Sequence, residues 1–380
     1  MTSSKLKFGG LSFQIRQHLR KPFTLAFIVS IVLLLSLFSV IYNHSINVSM
    51  TPIALPHIGL SKSQVMLLSY GRSGSSFTAA LIAHHKDVFY TFEPLFVLAR
   101  WPNNSVNERF YNTQEVRSRE IINSFLTCDF PFDTFSKLDN SFHRTVDSSR
   151  TLYDCLYSQK SGFDHFSCYK DYIDLCKSHK VTLVKTIRYR VQWAEWFMKT
   201  YPNFKLIILV RDPRATLFSQ ASVFRKFDWP NQVANFSRQH CGLVAEDIAA
   251  GELLLKRYPG RVLGIRYEDG ALEPYKYAQK IYRFLGIDYD ASVEDFIQNL
   301  LRDEEDKRLD AYSIRRKNFT RAMSRWRYQA GFNSANKTGQ ICGHLFHKLG
   351  YKFVYSQKDL ESDRLLVDTR SPGGIFYNID

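Results

Sequence analysis

Small residues and an arginine directly after an apolar run can hold an anion. This chain places Gly71-Arg72-Ser73-Gly74-Ser75-Ser76-Phe77 behind Val65-Met66-Leu67-Leu68. Gly71 and Gly74 let the backbone turn tightly, so consecutive N–H groups can face one point. A helix starting near Ser75 adds unpaired N–H groups and a positive dipole end, Ser75 and Ser76 add hydroxyls, and Arg72 adds a cation. The bland alternative is a turn that merely caps a helix, and no G-x-x-x-x-G-K-[ST] loop of the common nucleotide binders occurs. A second segment has the same logic. Lys205 to Val210 is apolar and strand-like, and Arg211-Asp212-Pro213-Arg214 follows it. Pro213 suits a first helical turn with Asp212 as N-cap. Ser219, eight residues past Arg211, then lies on that helix, where a guanidinium and a hydroxyl can share one phosphate. An ordinary Arg-Asp surface pair is the competing reading of that segment.

These loops need a frame. Apolar runs predict strands at 65–69, 88–91, 181–184, 205–210 and 262–266, and helical patterns cover 75–85, 191–200, 240–257 and 274–285. Such alternation implies an α/β fold, a P-loop-like parallel sheet flanked by helices on both faces. Anionic ligands bind at the C-terminal strand edges of such sheets, where both loops would converge. Residues 92–180 are aromatic and polar with too little periodicity for sheet core; they are expected to fold over the sheet edge and form part of an acceptor cleft.

Together the two segments resemble those of a sulfotransferase, and the nearest likeness is to the Golgi carbohydrate 6-O-sulfotransferases. It runs from about residue 64 to 355 and includes Arg72 to Ser76, Val210 to Ala215, Phe92-Glu93-Pro94, a helix start at Cys241 to Asp247, and Tyr258 to Arg261. Further matches are Arg266-Tyr267-Glu268-Asp269, Phe284-Leu285-Gly286, Trp326-Arg327, and Cys342 with Leu349-Gly350-Tyr351. Gly270 stands where the family pattern has Leu. The resemblance implies the sulfotransferase fold and the donor 3'-phosphoadenosine 5'-phosphosulfate. Its 5'-phosphosulfate would lie on Arg72, Ser73, Gly74, Ser75, Ser76 and Phe77, and its 3'-phosphate on Arg211, Asp212, Pro213, Arg214 and Ser219. The acceptor would be an N-acetylglucosamine, galactose or N-acetylgalactosamine unit of a glycan or proteoglycan, and no metal is expected. Sulfuryl transfer, by analogy with phosphoryl transfer, is a problem of alignment and charge. Each preorganised donor, Arg72 included, is then worth about 10²-fold in rate. Glu93, after the strand that follows the loop helix, is the candidate general base. Lys185 at a strand end would face the sulfuryl group or lie exposed; Trp326 and Arg327 would cover the nucleotide or belong to the core. His84 and His85 sit at the far end of the loop helix, and Tyr267-Glu268-Asp269 either caps a helix or supports the site.

Residues Phe23 to Tyr42 are uncharged and apolar over about the 20 residues that cross a membrane. Lys5, Lys7, Arg16, Arg20 and Lys21 precede them with no acidic residue, which keeps the N-terminus cytosolic. No A-x-A site follows, so a signal anchor is favoured over a cleaved signal peptide. Residues 1–21, 22–42, 43–63, 64–355 and 356–380 then read as cytoplasmic tail, transmembrane helix, stem, lumenal catalytic domain and C-terminal tail, in a Golgi type II membrane protein. Sequons at Asn43, Asn47, Asn103, Asn235, Asn318 and Asn336 fit a glycosylating lumen. Six cysteines, at 128, 155, 168, 176, 241 and 342, allow up to three disulfides in an unspecified pairing, and they lack C-x-x-C spacing.

The net charge is +15. The five cations ahead of the apolar stretch account for +5, which leaves +10 for a lumenal part that would meet polyanions or simply present a solvated basic face. Nucleic acid is excluded by the topology and the absence of any nucleic-acid motif; a homo-oligomer stays open. Two other classes compete: a metal-dependent Golgi glycosyltransferase, for which Asp288-Tyr289-Asp290 would be the D-x-D site, and a non-catalytic glycan-binding relative.

Overall fold

The computed structural model describes residues 62–99, 115–130, 146–158, 165–224, 231–302 and 318–379. The chain divides into two units, Met1–Ile58 and Gly59–Asp380, and every described residue lies in the second. The cytoplasmic tail, the membrane span and nearly all of the stem therefore fall outside the described residues. Among the described residues no helix is long and apolar enough to cross a membrane.

Five parallel strands form one sheet: β1 (Ser63–Leu68), β2 (Val88–Phe92), β3 (Val181–Thr186), β4 (Lys205–Val210) and β5 (Val262–Arg266), in the order β2-β3-β1-β4-β5. All five sit where the apolar runs predict, because a parallel strand covered on both faces needs apolar side chains in both directions. One face of the sheet carries Val65, Leu67, Val88, Tyr90, Leu183, Ile207 and Ile265, packed against the Ser75–Ala83, Tyr267–Leu272, Pro274–Leu285 and Ala291–Arg302 helices. The opposite face meets the Glu115–Thr127 helix, where Thr182 Oγ1 donates to Leu126 O at 2.9 Å. It also meets the Val233–Arg257 helix, which approaches so closely that a Cβ on Gly251 would lie 2.7 Å from Ile208.

Residues 92–180 differ from expectation. Their described parts hold three substantial helices, Glu115–Thr127, Asp147–Ser158 and His165–Ser178. They pack on the sheet rather than only folding over its edge. Aromatic rings carry the contact: Phe89 of β2 meets Tyr172 at 5.1 Å and Phe130 at 6.4 Å. Disulfides Cys128–Cys176 and Cys155–Cys168 pin these helices to one another. The long helix expected from 240 begins earlier, at Val233. Its Cys241 pairs with Cys342, and its Ser237 hydroxyl donates to Thr338 Oγ1 at 3.1 Å. Both contacts join residues 101 positions apart, so the Val233–Arg257 and Phe332–Ile341 helices run parallel and in register. The hydroxyls of the Asn235 and Asn336 sequons are thereby buried at that contact.

The segment after residue 355 is integrated with the domain rather than trailing from it. Gly264 N–H of the edge strand β5 donates to Ile375 O at 2.7 Å, and Ile375 and Phe376 are buried. An edge strand whose unpaired amides are covered in this way is protected from pairing with other chains. Gly270, the departure noted in the sequence, has a packing reason: a Cβ there would lie 2.9 Å from the Tyr277 ring.

Candidate active site

Arg72, Ser75, Glu93 and Arg211 lie just past the C-terminal ends of β1, β2 and β4, and Lys185 lies near the C-terminal end of β3. The turn after β1 closes on itself: Ser73 N–H and Ser73 Oγ donate to Tyr70 O at 3.1 and 2.7 Å. Arg72 and Gly74 take left-handed φ values of 68° and 89°. Gly74 is at ease there and Arg72 is not; such non-glycine positions cluster at functional sites. Gly74 precedes the Ser75–Ala83 helix, and no side chain caps that helix start. The first-turn N–H groups of Ser75, Ser76 and Phe77 have no helical carbonyl to bind, and with the helix dipole they favour an anion.

The turn after β4 comes to meet this one. Arg211 Nη1 donates to Arg72 O at 2.9 Å, Arg72 Nε donates to Ser219 Oγ at 3.1 Å, and Gln220 Nε2 donates to Gly71 O at 2.8 Å. Arg72 thus reaches Ser219 on the Pro213–Phe224 helix and bridges the two segments. Arg211 Nε is buried without a hydrogen-bond partner among the described residues. An orphaned guanidinium nitrogen beside an uncapped helix start fits an oxyanion.

Asp212 is the expected N-cap, accepting from Arg214 N at 2.9 Å. It also accepts from Arg214 Nη2 at 2.7 Å. Arg214 is fully buried between the Phe346 and Trp326 rings, 4.5 and 5.3 Å from their centroids. Arg214 and Trp326 therefore hold the helix base to the core. The Arg327 guanidinium, expected either over the nucleotide or in the core, binds Leu360 O at 2.6 Å and Arg364 O at 2.8 Å, and also Ser362 O. With five donors in a fixed fork, it caps the chain around the short Gln357–Leu360 helix.

Glu93 follows β2 and Lys185 lies in β3, and the parallel register sets Phe92 opposite Lys185. Glu93 N–H continues that ladder to Lys185 O at 2.9 Å. The Glu93 carboxylate is 3% exposed as a residue, with Lys185 Nζ 2.8 Å from one oxygen and Arg188 Nη1 2.6 Å from the other. Lys185 is buried, not an exposed strand end, and its ammonium lies 4.5 Å over the Phe92 ring. Burial alone would push the Glu93 carboxyl up, but Lys185 and then Arg188 outweigh it and hold it below the usual carboxylate range. Glu93 is ionised at neutral pH. Arg188 was not among the sequence candidates; its signal is the spacing Lys185-x-x-Arg188 just past a strand.

Other sequence candidates lie elsewhere. His85 is buried at the far end of the Ser75–Ala83 helix, where its Nδ1 accepts from Asp87 N at 3.0 Å. Asp290 caps the Ala291–Arg302 helix, accepting from Ser292 N at 3.0 Å. The preceding helix carbonyl Phe284 O is bound by Lys205 at the N-terminal start of β4, so Asp288-Tyr289-Asp290 sits by the edge opposite the loops. No group of acidic, His or Cys residues arranged to hold a metal occurs among the described residues.

Glu268 supports the second turn from behind. Its Oε1 accepts Asp212 N–H at 3.0 Å, and Tyr351 OH donates to its Oε2 at 3.0 Å. Burial, then the Asp212 carboxylate, push its carboxyl up to about 7. A raised carboxyl favours the folded chain while protonated: its contribution is complete below the ordinary 4.5 and is lost as pH rises to about 7. Glu268→Gln keeps the carbonyl acceptor and removes the titration. Thermal melts should therefore show the variant gaining on the parent chain as pH rises from about 5 to about 7.5, whereas a pH-independent gap would contradict the assignment.

The fold is a parallel α/β sheet whose C-terminal edge brings Arg72, Arg211 and Ser219 together beside an uncapped helix start. The Sulfotransferase family pattern matches residues 64–291, more than half of the chain, and the chain belongs to that family; it is a sulfotransferase. Curated relatives include carbohydrate sulfotransferase 1 of Rattus norvegicus, 27% identical over 351 residues that cover 81% of this chain and 84% of that protein. Carbohydrate sulfotransferase 3 of Rattus norvegicus is 27% identical, covering 77% of this chain and 69% of its own. Carbohydrate sulfotransferase 6 of Homo sapiens is 25% identical, covering 84% and 88%. A sulfotransferase domain from a Synechococcus olefin synthase aligns over 75% of this chain and 95% of its own, at 18% identity and a TM-score of 0.42.

Proposed function

We propose that the enzyme transfers the sulfuryl group of 3'-phosphoadenosine 5'-phosphosulfate to a sugar hydroxyl, the 6-OH, of a glycan or glycosaminoglycan. The observation that carries the reading is the meeting of the two turns: Arg211, Arg72 and Ser219 linked at 2.9 and 3.1 Å beside an uncapped helix start, with Glu93 and Lys185 farther along the same sheet edge. The curated relatives, carbohydrate sulfotransferases by name, support a sugar acceptor. Placement in the Golgi membrane, anchored through residues 22–42 with the catalytic domain lumenal, belongs to the same proposal.

In this reading the first-turn N–H groups of Ser75, Ser76 and Phe77 hold the 5'-phosphate, and Arg211 with Ser219 holds the 3'-phosphate. The sulfur–oxygen bond to that 5'-phosphate breaks as the sugar oxygen bonds to sulfur, and the adenosine bisphosphate leaves. Glu93 takes the hydroxyl proton. Ionised, the Glu93 carboxylate can take up that proton, and Lys185, 2.8 Å from it, would face the charge on the transferring group. The assay is direct: sulfur-labelled donor, the full chain, and a panel of keratan, chondroitin and N-glycan acceptors. Label should appear in a sugar at the 6-position, and label in none of the glycans would reject the reading.

A further inference from the structure

One ring joins the two turns of the candidate donor site. Tyr267 opens the helix after β5, the strand beside β4, with Arg266 paired in register to Val210. Its face carries the Arg211 guanidinium, 4.6 Å from the ring centroid. Its edge lies against the first turn, where a Cβ on Gly74 would be 2.2 Å from the ring. Phe77 meets it at 6.5 Å in an edge contact, and the residue is nearly buried. The next residue, Glu268, binds the N–H of Asp212, so both the side chain of Arg211 and the backbone just after it are fixed by two consecutive residues.

We infer that Tyr267 is a positioning residue whose ring sets the plane of the Arg211 guanidinium and thereby its hold on the 3'-phosphate of the donor. A free arginine side chain has many rotamers, and a flat guanidinium lying on an aromatic face loses most of them before any ligand arrives. With its Nη1 committed to Arg72 O and one ring face behind it, the guanidinium keeps its other N–H groups for a phosphate. Gly74 belongs to the same device, since only a residue without a side chain leaves the ring its place. This inference rests on the donor reading above.

The test compares binding of 3'-phosphoadenosine 5'-phosphate with that of adenosine 5'-phosphate to the full chain by calorimetry. The parent chain should prefer the bisphosphate. Tyr267→Leu should lower that preference by about 10-fold or more by weakening the bisphosphate alone, and Tyr267→Phe, which keeps the face, should stay within about twofold of the parent. Tyr267→Met, which fills the volume without a face, should behave like the leucine variant and serves if that variant does not fold. An undiminished preference in a folded leucine or methionine variant would overturn the inference while leaving the donor reading intact. Loss of the fold in both would assign the ring to the core and overturn it equally. A parent chain without any preference would instead sink the donor reading itself.

Discussion

Glu93→Gln should lower turnover by about 10² or more, the usual size of a general-base contribution, while donor Kd does not weaken. The amide keeps the shape and tolerates the same turn, so the backbone bond from residue 93 to Lys185 O survives. What it cannot do is take a proton. The neighbouring cations sharpen the expectation. Lys185 and Arg188 both lose their counter-ion in the variant, so the local charge becomes more positive and an anionic donor is not repelled. Single-turnover kinetics with separate donor titration separates the two quantities. Near-normal turnover would put the base elsewhere in the cleft, and a collapse of donor affinity would make Glu93 a brace for Lys185 and Arg188 rather than a base.

Arg211→Ala should weaken 3'-phosphoadenosine 5'-phosphate by about 10- to 100-fold, the worth of a charge-assisted hydrogen bond pair, and leave adenosine 5'-phosphate nearly unchanged. The parent guanidinium has one nitrogen on Arg72 O and a buried nitrogen with no hydrogen-bond partner among the described residues, so the ligand would supply what the fold leaves open. Ser219→Ala should act in the same direction and less strongly, because the hydroxyl also receives Arg72 Nε. Equal losses for both nucleotides would assign Arg211 to the fold instead.

The strands were readable because a sheet covered on both faces demands unbroken apolar runs, and Leu206 to Val210 or Val65 to Leu68 have little else in them. The meeting of the two turns was legible because each follows a strand of the same parallel sheet, and Arg72, Arg211 and Ser219 do come together there. Residues 92–180 were not, since their helices hold to the sheet by scattered aromatic rings and two disulfides rather than by a regular apolar stripe. Among the cations, residue type alone does not say which partner a guanidinium takes. Arg214 and Arg327 look like ligand groups in sequence, yet one is sealed by Asp212 and two rings, the other by carbonyls more than 30 residues away. Arg188 escaped notice for the converse reason. Its partner Glu93 lies 95 positions earlier and is brought to it only by the pairing of β2 with β3.

The most direct measurement is a crystal structure of the chain with 3'-phosphoadenosine 5'-phosphate. The proposed donor site puts the 5'-phosphate on the N–H groups of Ser75 and Ser76 and the 3'-phosphate between Arg211 and Ser219. Glu93 and Lys185 would face the open side of the 5'-phosphate, where the sulfuryl group and a sugar hydroxyl must meet. A nucleotide bound with the two phosphates exchanged, or away from this sheet edge, would contradict it.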